Sequence, residues 1–165
     1  MNIERVIYFG TAPIAVPALC ALHELPDVRV VAVCTQPDRP SGRKRRLTPS
    51  PVKVAALERG LEVVDPEKIA TARDRLETLN PDLAVVFAYG QYLPGSIFDL
   101  PAHGSINFHP SLLPSYRGAS PIQSAIADGC HETGLTVLKV SREMDAGDIL
   151  SQKSVMIGPE DTAET

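Results

Sequence analysis

Short apolar runs rich in Val and Ile return along the chain at Val6 to Phe9, Val28 to Cys34, Leu83 to Ala88, Ser105 to Phe108 and Leu135 to Val140. Most are followed by polar loop residues and then by a stretch whose apolar positions repeat near 3.6 residues. Near-continuous apolar runs suit strands covered on both faces, and their alternation with helical segments predicts βαβ units. The expectation is an α/β fold: an open, mostly parallel, twisted sheet with helices on both faces. After Phe9-Gly10-Thr11, the positions Ile14, Ala18, Leu19, Leu22 and Leu25 share a helical face, with Pro17 confined to its first turn. Ser50-Pro51 before Val52 to Arg59, with Gly60 behind, supplies an N-cap, a proline at the first helical position and a glycine stop. Ser120-Pro121 and Gly129 bracket a further helix in the same way. Pro66 to Asn80 carries the helical stripe Ile69, Leu76 and Leu79. Val155 to Ile157 reads as a strand, and Asp161 to Thr165 as the opening of a helix. Residues 35–49 break the rhythm: they are polar, proline-bearing and basic, and predict a long surface loop rather than an element.

At 165 residues and 44% hydrophobic, the chain can bury one sizeable core, so a single domain is expected. Cys20, Cys34 and Cys130 are odd in number and lack C-x-x-C spacing, which fits a reducing, cytoplasmic setting. The sequence enters its first strand without an apolar leader and has no apolar run of spanning length, so no membrane association is expected. A net charge of −4 argues against nonspecific nucleic-acid binding by the chain as a whole, but Arg43, Lys44, Arg45 and Arg46 form a local basic patch. Such a run is usually a solvated surface, and it is also what a phosphate backbone attracts.

The chemistry concentrates around Ser105 to Pro114 and Met144 to Asp148. Asn107 and His109 are two apart, so in a strand they leave on the same face and can meet one reacting atom. His109 follows directly on a strand-like run, where open parallel sheets place their ligands. An amide and an imidazole can stabilise a developing oxyanion, and a carboxylate from the later turn can orient the imidazole. Asp145 and Asp148 compete for that role, and spacing alone does not choose between them. Ser111 lacks a G-x-S-x-G elbow, which weighs against a serine hydrolase. His23, His103, His109 and His131 have no metal-ligand spacing, and Gly10-Thr11-Ala12-Pro13 lacks the dinucleotide fingerprint, so neither metal nor NAD is expected.

Several motifs together resemble the N-terminal catalytic part of the methionyl-tRNA formyltransferases. They include Val16-Pro17-Ala18-Leu19, Thr35-Gln36-Pro37-Asp38-Arg39-Pro40, Ala88-Tyr89-Gly90-Gln91 and Asn107-Phe108-His109-Pro110-Ser111-Leu112-Leu113-Pro114. Arg117-Gly118-Ala119-Ser120-Pro121 and Met144-Asp145-Ala146-Gly147-Asp148 complete the set. The Asn-x-His with a downstream Asp is shared by folate-dependent formyltransferases at large, whereas the Thr-Gln-Pro-Asp-Arg-Pro loop is more particular to the tRNA branch.

The resemblance implies a Rossmann-like formyltransferase fold and a formyl transfer from 10-formyltetrahydrofolate to the α-amine of initiator methionyl-tRNA. It implies Asn107, His109 and Asp145 as the catalytic trio, with protonated His109 and Asn107 on the oxyanion. Ser111, Leu112, Leu113 and Pro114, with Gln91, Tyr92 and Leu93, would contact the folate. Arg43, Lys44, Arg45 and Arg46, in a basic loop inserted at 35–51, would meet the tRNA. It further implies a partial catalytic domain over 1–165, a C-terminal β-barrel absent from this chain, and a monomeric intact enzyme. The alternatives are a formyltransferase acting on an amino sugar or glycinamide ribonucleotide, a 10-formyltetrahydrofolate hydrolase, or a noncatalytic folate- or tRNA-binding fragment.

Overall fold

The computed structural model describes residues 3–42 and 45–165, and the chain divides into two compact units, Met1–Ser105 and Ile106–Thr165. In chain order the first unit contains β1 (Arg5–Gly10), a 3-10 turn at Pro13–Ala15, α1 (Val16–Glu24) and β2 (Arg29–Cys34). There follow β3 (Arg39–Ser41), β4 (Arg46–Thr48), α2 (Pro51–Glu58) and β5 (Val63–Val64). A 3-10 turn at Ile69–Ala72, α3 (Arg73–Thr78), β6 (Leu83–Phe87) and α4 (Gly95–Phe98) complete it. Four of its strands run in the order β5-β2-β1-β6, every neighbouring pair parallel.

The apolar runs explain this order. Val6 to Phe9 in β1, Val30 to Cys34 in β2 and Ala84 to Phe87 in β6 are all buried, as strands covered on both faces must be. Leu19 of α1, Val52 and Ala56 of α2 and Leu76 of α3 are wholly buried. Each fully buried Val or Leu side chain among them contributes about 1.5–3 kcal/mol before conformational entropy is counted. The α2 start follows its cap signals: Ser50 Oγ accepts the Lys53 N–H at 3.0 Å, and Pro51 opens the helix.

Two expectations for the first unit need correction. Residues 35–49 are not wholly irregular, because β3 and β4 pair antiparallel from Arg39↔Thr48 to Ser41↔Arg46. Both strands are exposed, so this hairpin is held by backbone pairing and carries no apolar alternation for a sequence reading to detect. The helix expected from Pro66 begins only at Arg73, after the 3-10 turn, and Pro66 lies outside both. α4 and the two-residue β5 are too short to show a period.

The second unit contains all but the first residue of β7 (Ser105–His109), together with α5 (Pro121–Ala127), β8 (Glu132–Lys139) and β9 (Ile149–Met156). Its ladders, β7 with β8 and β8 with β9, are antiparallel. The parallel rhythm therefore ends with the first unit, since apolar runs encode burial but not direction. β8 starts earlier than its apolar run. β9 covers eight residues where three were expected, because Ile149 to Met156 is exposed throughout and is ordered by pairing with β8. Ser120 stands before α5, but its hydroxyl makes no capping bond. Residues 161–165 form side-chain-bonded turns instead of a helix, with Asp161 Oδ2 accepting the Gly158 N–H at 2.7 Å.

Candidate active site

β7 delivers His109, buried at its end, and Asn107 two residues earlier. The loop from β8 to β9 delivers Asp145, whose Oδ2 lies 3.5 Å from His109 Nδ1. At that distance the contact is electrostatic rather than a hydrogen bond. The carboxylate is only one-tenth exposed, so water screens it little. Asp148 is turned away: it is 80% exposed and pairs with Lys139 Nζ at 3.3 Å. On the other side of the ring, His109 Nε2 lies 2.8 Å from the Tyr116 carbonyl oxygen. A carbonyl can only accept, so Nε2 carries a hydrogen and donates it. The Asn107 carboxamide makes no hydrogen bond among the described residues, which leaves its N–H groups free for a ligand oxygen.

The turn after His109 is braced from β8 and β9. Thr136, fully buried, donates through Oγ1 to the Ser111 carbonyl at 2.7 Å and accepts the Leu113 N–H at 3.1 Å. Gln152 Nε2 donates to the Leu113 carbonyl and to Thr136 Oγ1, each at 2.9 Å. The Ser111 hydroxyl is buried and donates to the Ser115 carbonyl at 2.7 Å, so it is committed as a brace and not poised as a nucleophile. Leu113 is buried, Leu112 half-buried and Pro114 exposed. Sequence reading missed Thr136 and Gln152. The available signal was a polar residue at an inward position of β8, between buried Gly134 and Leu138.

Within the first unit, Gln91 has both ends of its amide engaged. Oε1 accepts the Ile69 N–H at 3.1 Å and Nε2 donates to the Pro66 carbonyl at 3.2 Å. Its side chain is thus a brace between loops, while Tyr92 is 75% exposed and Leu93 half-buried. The motifs after β1, β2 and β6 are tied together at the carboxyl ends of those strands. Thr11 Oγ1 donates to the Tyr89 carbonyl at 2.6 Å, and Gln36 Nε2 to the Gly90 carbonyl at 2.7 Å. Thr35 Oγ1 lies 2.6 Å from Ser50 Oγ.

Lys53 then clamps the root of the β3–β4 hairpin, reaching Asp38 and Asp65 at 2.7 Å each. Hydrogen bonding to Asp38 first, and to Asp65, raises its ammonium above the usual lysine range. In the hairpin Arg45 and Arg46 are exposed, and Arg39 pairs with Glu67 at 3.3 Å. Arg43 and Lys44 lie outside the described residues. An open groove of about 660 Å³ lined by Arg5, His23, Arg29 and Arg59 lies at the amino ends of β1 and β2 and holds none of the trio. Ligands of open parallel sheets bind at the opposite, carboxyl ends, so we do not assign it to the chemistry. Among the described residues no group of three His, Cys, Asp or Glu is placed to hold a metal ion. None of their helices is long and apolar enough to cross a membrane.

The fold is that of the formyltransferases. The solved phosphoribosylglycinamide formyltransferase from Anaplasma phagocytophilum matches with a TM-score of 0.78 and 24% identity, over 99% of this chain and 77% of that one. The formyltetrahydrofolate deformylase from Pseudomonas syringae pv. tomato matches with a TM-score of 0.75 and 22% identity, over 98% of this chain and 54% of that one. The family model described as formyl transferase matches residues 4–165, and the chain belongs to that family. Among curated relatives, the methionyl-tRNA formyltransferase of Listeria monocytogenes is 49% identical over 98% of this chain, and that of Geobacter metallireducens 46% identical over 97%. The chain spans about half the length of these relatives, 52% in both cases.

Proposed function

We propose that this chain carries the formyl-transferring chemistry of a methionyl-tRNA formyltransferase, moving the formyl group of 10-formyltetrahydrofolate to the α-amine of initiator methionyl-tRNA in the cytoplasm. The observation that carries the reading is His109, backed by the shielded Asp145 carboxylate, beside the unengaged carboxamide of Asn107 on the same strand. The amine lone pair forms a C–N bond to the formyl carbon, and the carbonyl π electrons move to its oxygen. Asn107 and His109 Nε2–H donate to that oxygen. Collapse re-forms the C=O and breaks the bond to the folate nitrogen, which takes up the proton lost by the amine. Donors preorganised in this way act on charge that exists only in the transition state, so they raise the rate and not merely the binding.

The braced turn Ser111–Pro114 is the proposed folate contact, and Tyr92 and Leu93, on the loop that Gln91 holds, are assigned to the folate by the resemblance alone. For the acceptor, the basic hairpin and the names of the 46–49% identical relatives favour tRNA over a small amine. The test incubates the chain with 10-formyltetrahydrofolate and methionyl-tRNA and measures formylmethionyl-tRNA. Asn107→Ala and His109→Ala are each expected to lose about 10² to 10³ in rate with the fold intact. Near-normal transfer by His109→Ala overturns the role. Release of formate without an amine points to hydrolysis instead, and formylation of glycinamide ribonucleotide or an amino sugar points to a small-amine enzyme.

A further inference from the structure

The segment from Ser115 to Ser120 lies across the proposed site and uses both halves of it. The Tyr116 carbonyl takes the His109 Nε2–H at 2.8 Å, and the Gly118 N–H donates to Asp145 Oδ2 at 2.9 Å. A main-chain carbonyl thus sits on the N–H that a ligand oxyanion would need. The segment is itself fastened: the Tyr116 hydroxyl donates to Asp128 Oδ2 at 2.9 Å and lies 3.1 Å from Cys130 Sγ. Tyr116 adopts φ of +55°, a conformation a bulky residue keeps only when its surroundings hold it there. Its carbonyl and its phenol are fixed at opposite ends.

We propose that Tyr116 is a positioning residue, its phenol anchored at the end of α5 so that its carbonyl occupies His109 as an internal stand-in for the substrate oxygen. The strap selects the Nε2–H form of the ring before any ligand arrives, and it must release for His109 to reach a formyl oxygen. The competition with substrate rests on the formyl-transfer reading; the closure of the strap does not. A closed population lowers apparent affinity by the fraction of molecules that are open, so loosening the strap strengthens apparent substrate binding.

The test compares Tyr116→Phe and Asp128→Ala, which remove the phenol's anchor, with Asp128→Asn, which keeps an acceptor. In the unliganded chain, hydrogen exchange at the Gly118 amide should quicken by about three- to tenfold in the first two variants, as expected for the loss of one or two ordinary hydrogen bonds. It should stay near the parent rate in Asp128→Asn. The 15N resonances of His109 should move in parallel. In turnover, Tyr116→Phe should lower KM by a similar factor, with kcat unchanged or raised. A residue serving only the fold would raise KM and lower kcat. Unchanged Gly118 exchange in both releasing variants, or a raised KM beside unchanged His109 resonances, overturns the proposal. Altered exchange in a chain that transfers no formyl group keeps the strap and discards the reaction.

Discussion

A methyl group at position 147 has nowhere to go, because a Cβ there would fall on the Lys139 carbonyl. The neighbouring Asp148 carbonyl accepts the Lys139 N–H at 3.0 Å, so this loop lies flat against the end of β8. Asp145, two residues earlier at φ of +52°, faces His109 only while the loop keeps that position. Gly147→Ala should therefore cost about 2–3 kcal/mol in urea unfolding, as overpacking against rigid backbone does. It should also cost at least about tenfold in formyl transfer, because Asp145 retreats from the imidazole. Equal stability and turnover in Gly147→Ala would mean that the loop has slack. Gly134 obeys the same constraint on β8, where a Cβ would lie 2.5 Å from Leu112 Cδ2 and push the braced turn away from the strand. The local part of this site is legible in the sequence. Asn107 and His109 share a strand face by spacing, and glycine beside a carboxylate marks a tight loop. Thr136, Gln152 and Tyr116 are not, because they act through backbone groups 23 to 39 residues away or through a main-chain carbonyl that no side-chain pattern reports.

At the scale of elements, burial decides what could be read ahead. β1, β2 and β6 are apolar because both faces are covered, and their runs announced them. The β3–β4 hairpin and β9 are exposed, owe their order to pairing with distant residues, and left no period to find. The hairpin nonetheless has the stronger functional argument. Lys53 fixes its root between Asp38 and Asp65, while Arg45, Arg46 and Leu47 beyond the clamp are exposed. A rigid root with a basic tip suits a charged backbone better than a flexible loop would, because less ordering entropy is given up on binding. Replacing Arg43, Lys44, Arg45 and Arg46 together by Ala should weaken tRNA binding. It should also flatten the slope of log affinity against log salt by about 0.9 for each duplex phosphate that is no longer neutralised. Folate binding, measured by titration in parallel, should not change. An unaltered salt slope would reduce the hairpin to solvated surface.

Across the whole molecule, acid stability provides a test of how the first unit is closed. Asp82 stands just ahead of β6, and its Oδ2 accepts the N–H of Arg5 at 2.8 Å and of Glu4 at 2.9 Å, joining segments 77 and 78 residues apart. Those two bonds, Arg5 first, hold its carboxyl below the usual carboxylate range. A carboxyl whose folded value is depressed stabilises the fold fully above its unfolded value, about 4, and loses that contribution as pH falls through the folded value. Other carboxylates titrate over the same range, so the informative quantity is the difference between the parent chain and Asp82→Asn, which retains an acceptor but no charge. That difference in urea unfolding free energy should be full and level from neutral pH down to about 5, shrink as pH falls below about 4, and close once Asp82 is protonated in both states. A gap that persists unchanged at pH 2 would show that the side chain acts through shape alone. A gap that widens on acidification would reverse the sign, and the start of β1 would then be held by something other than the carboxylate charge.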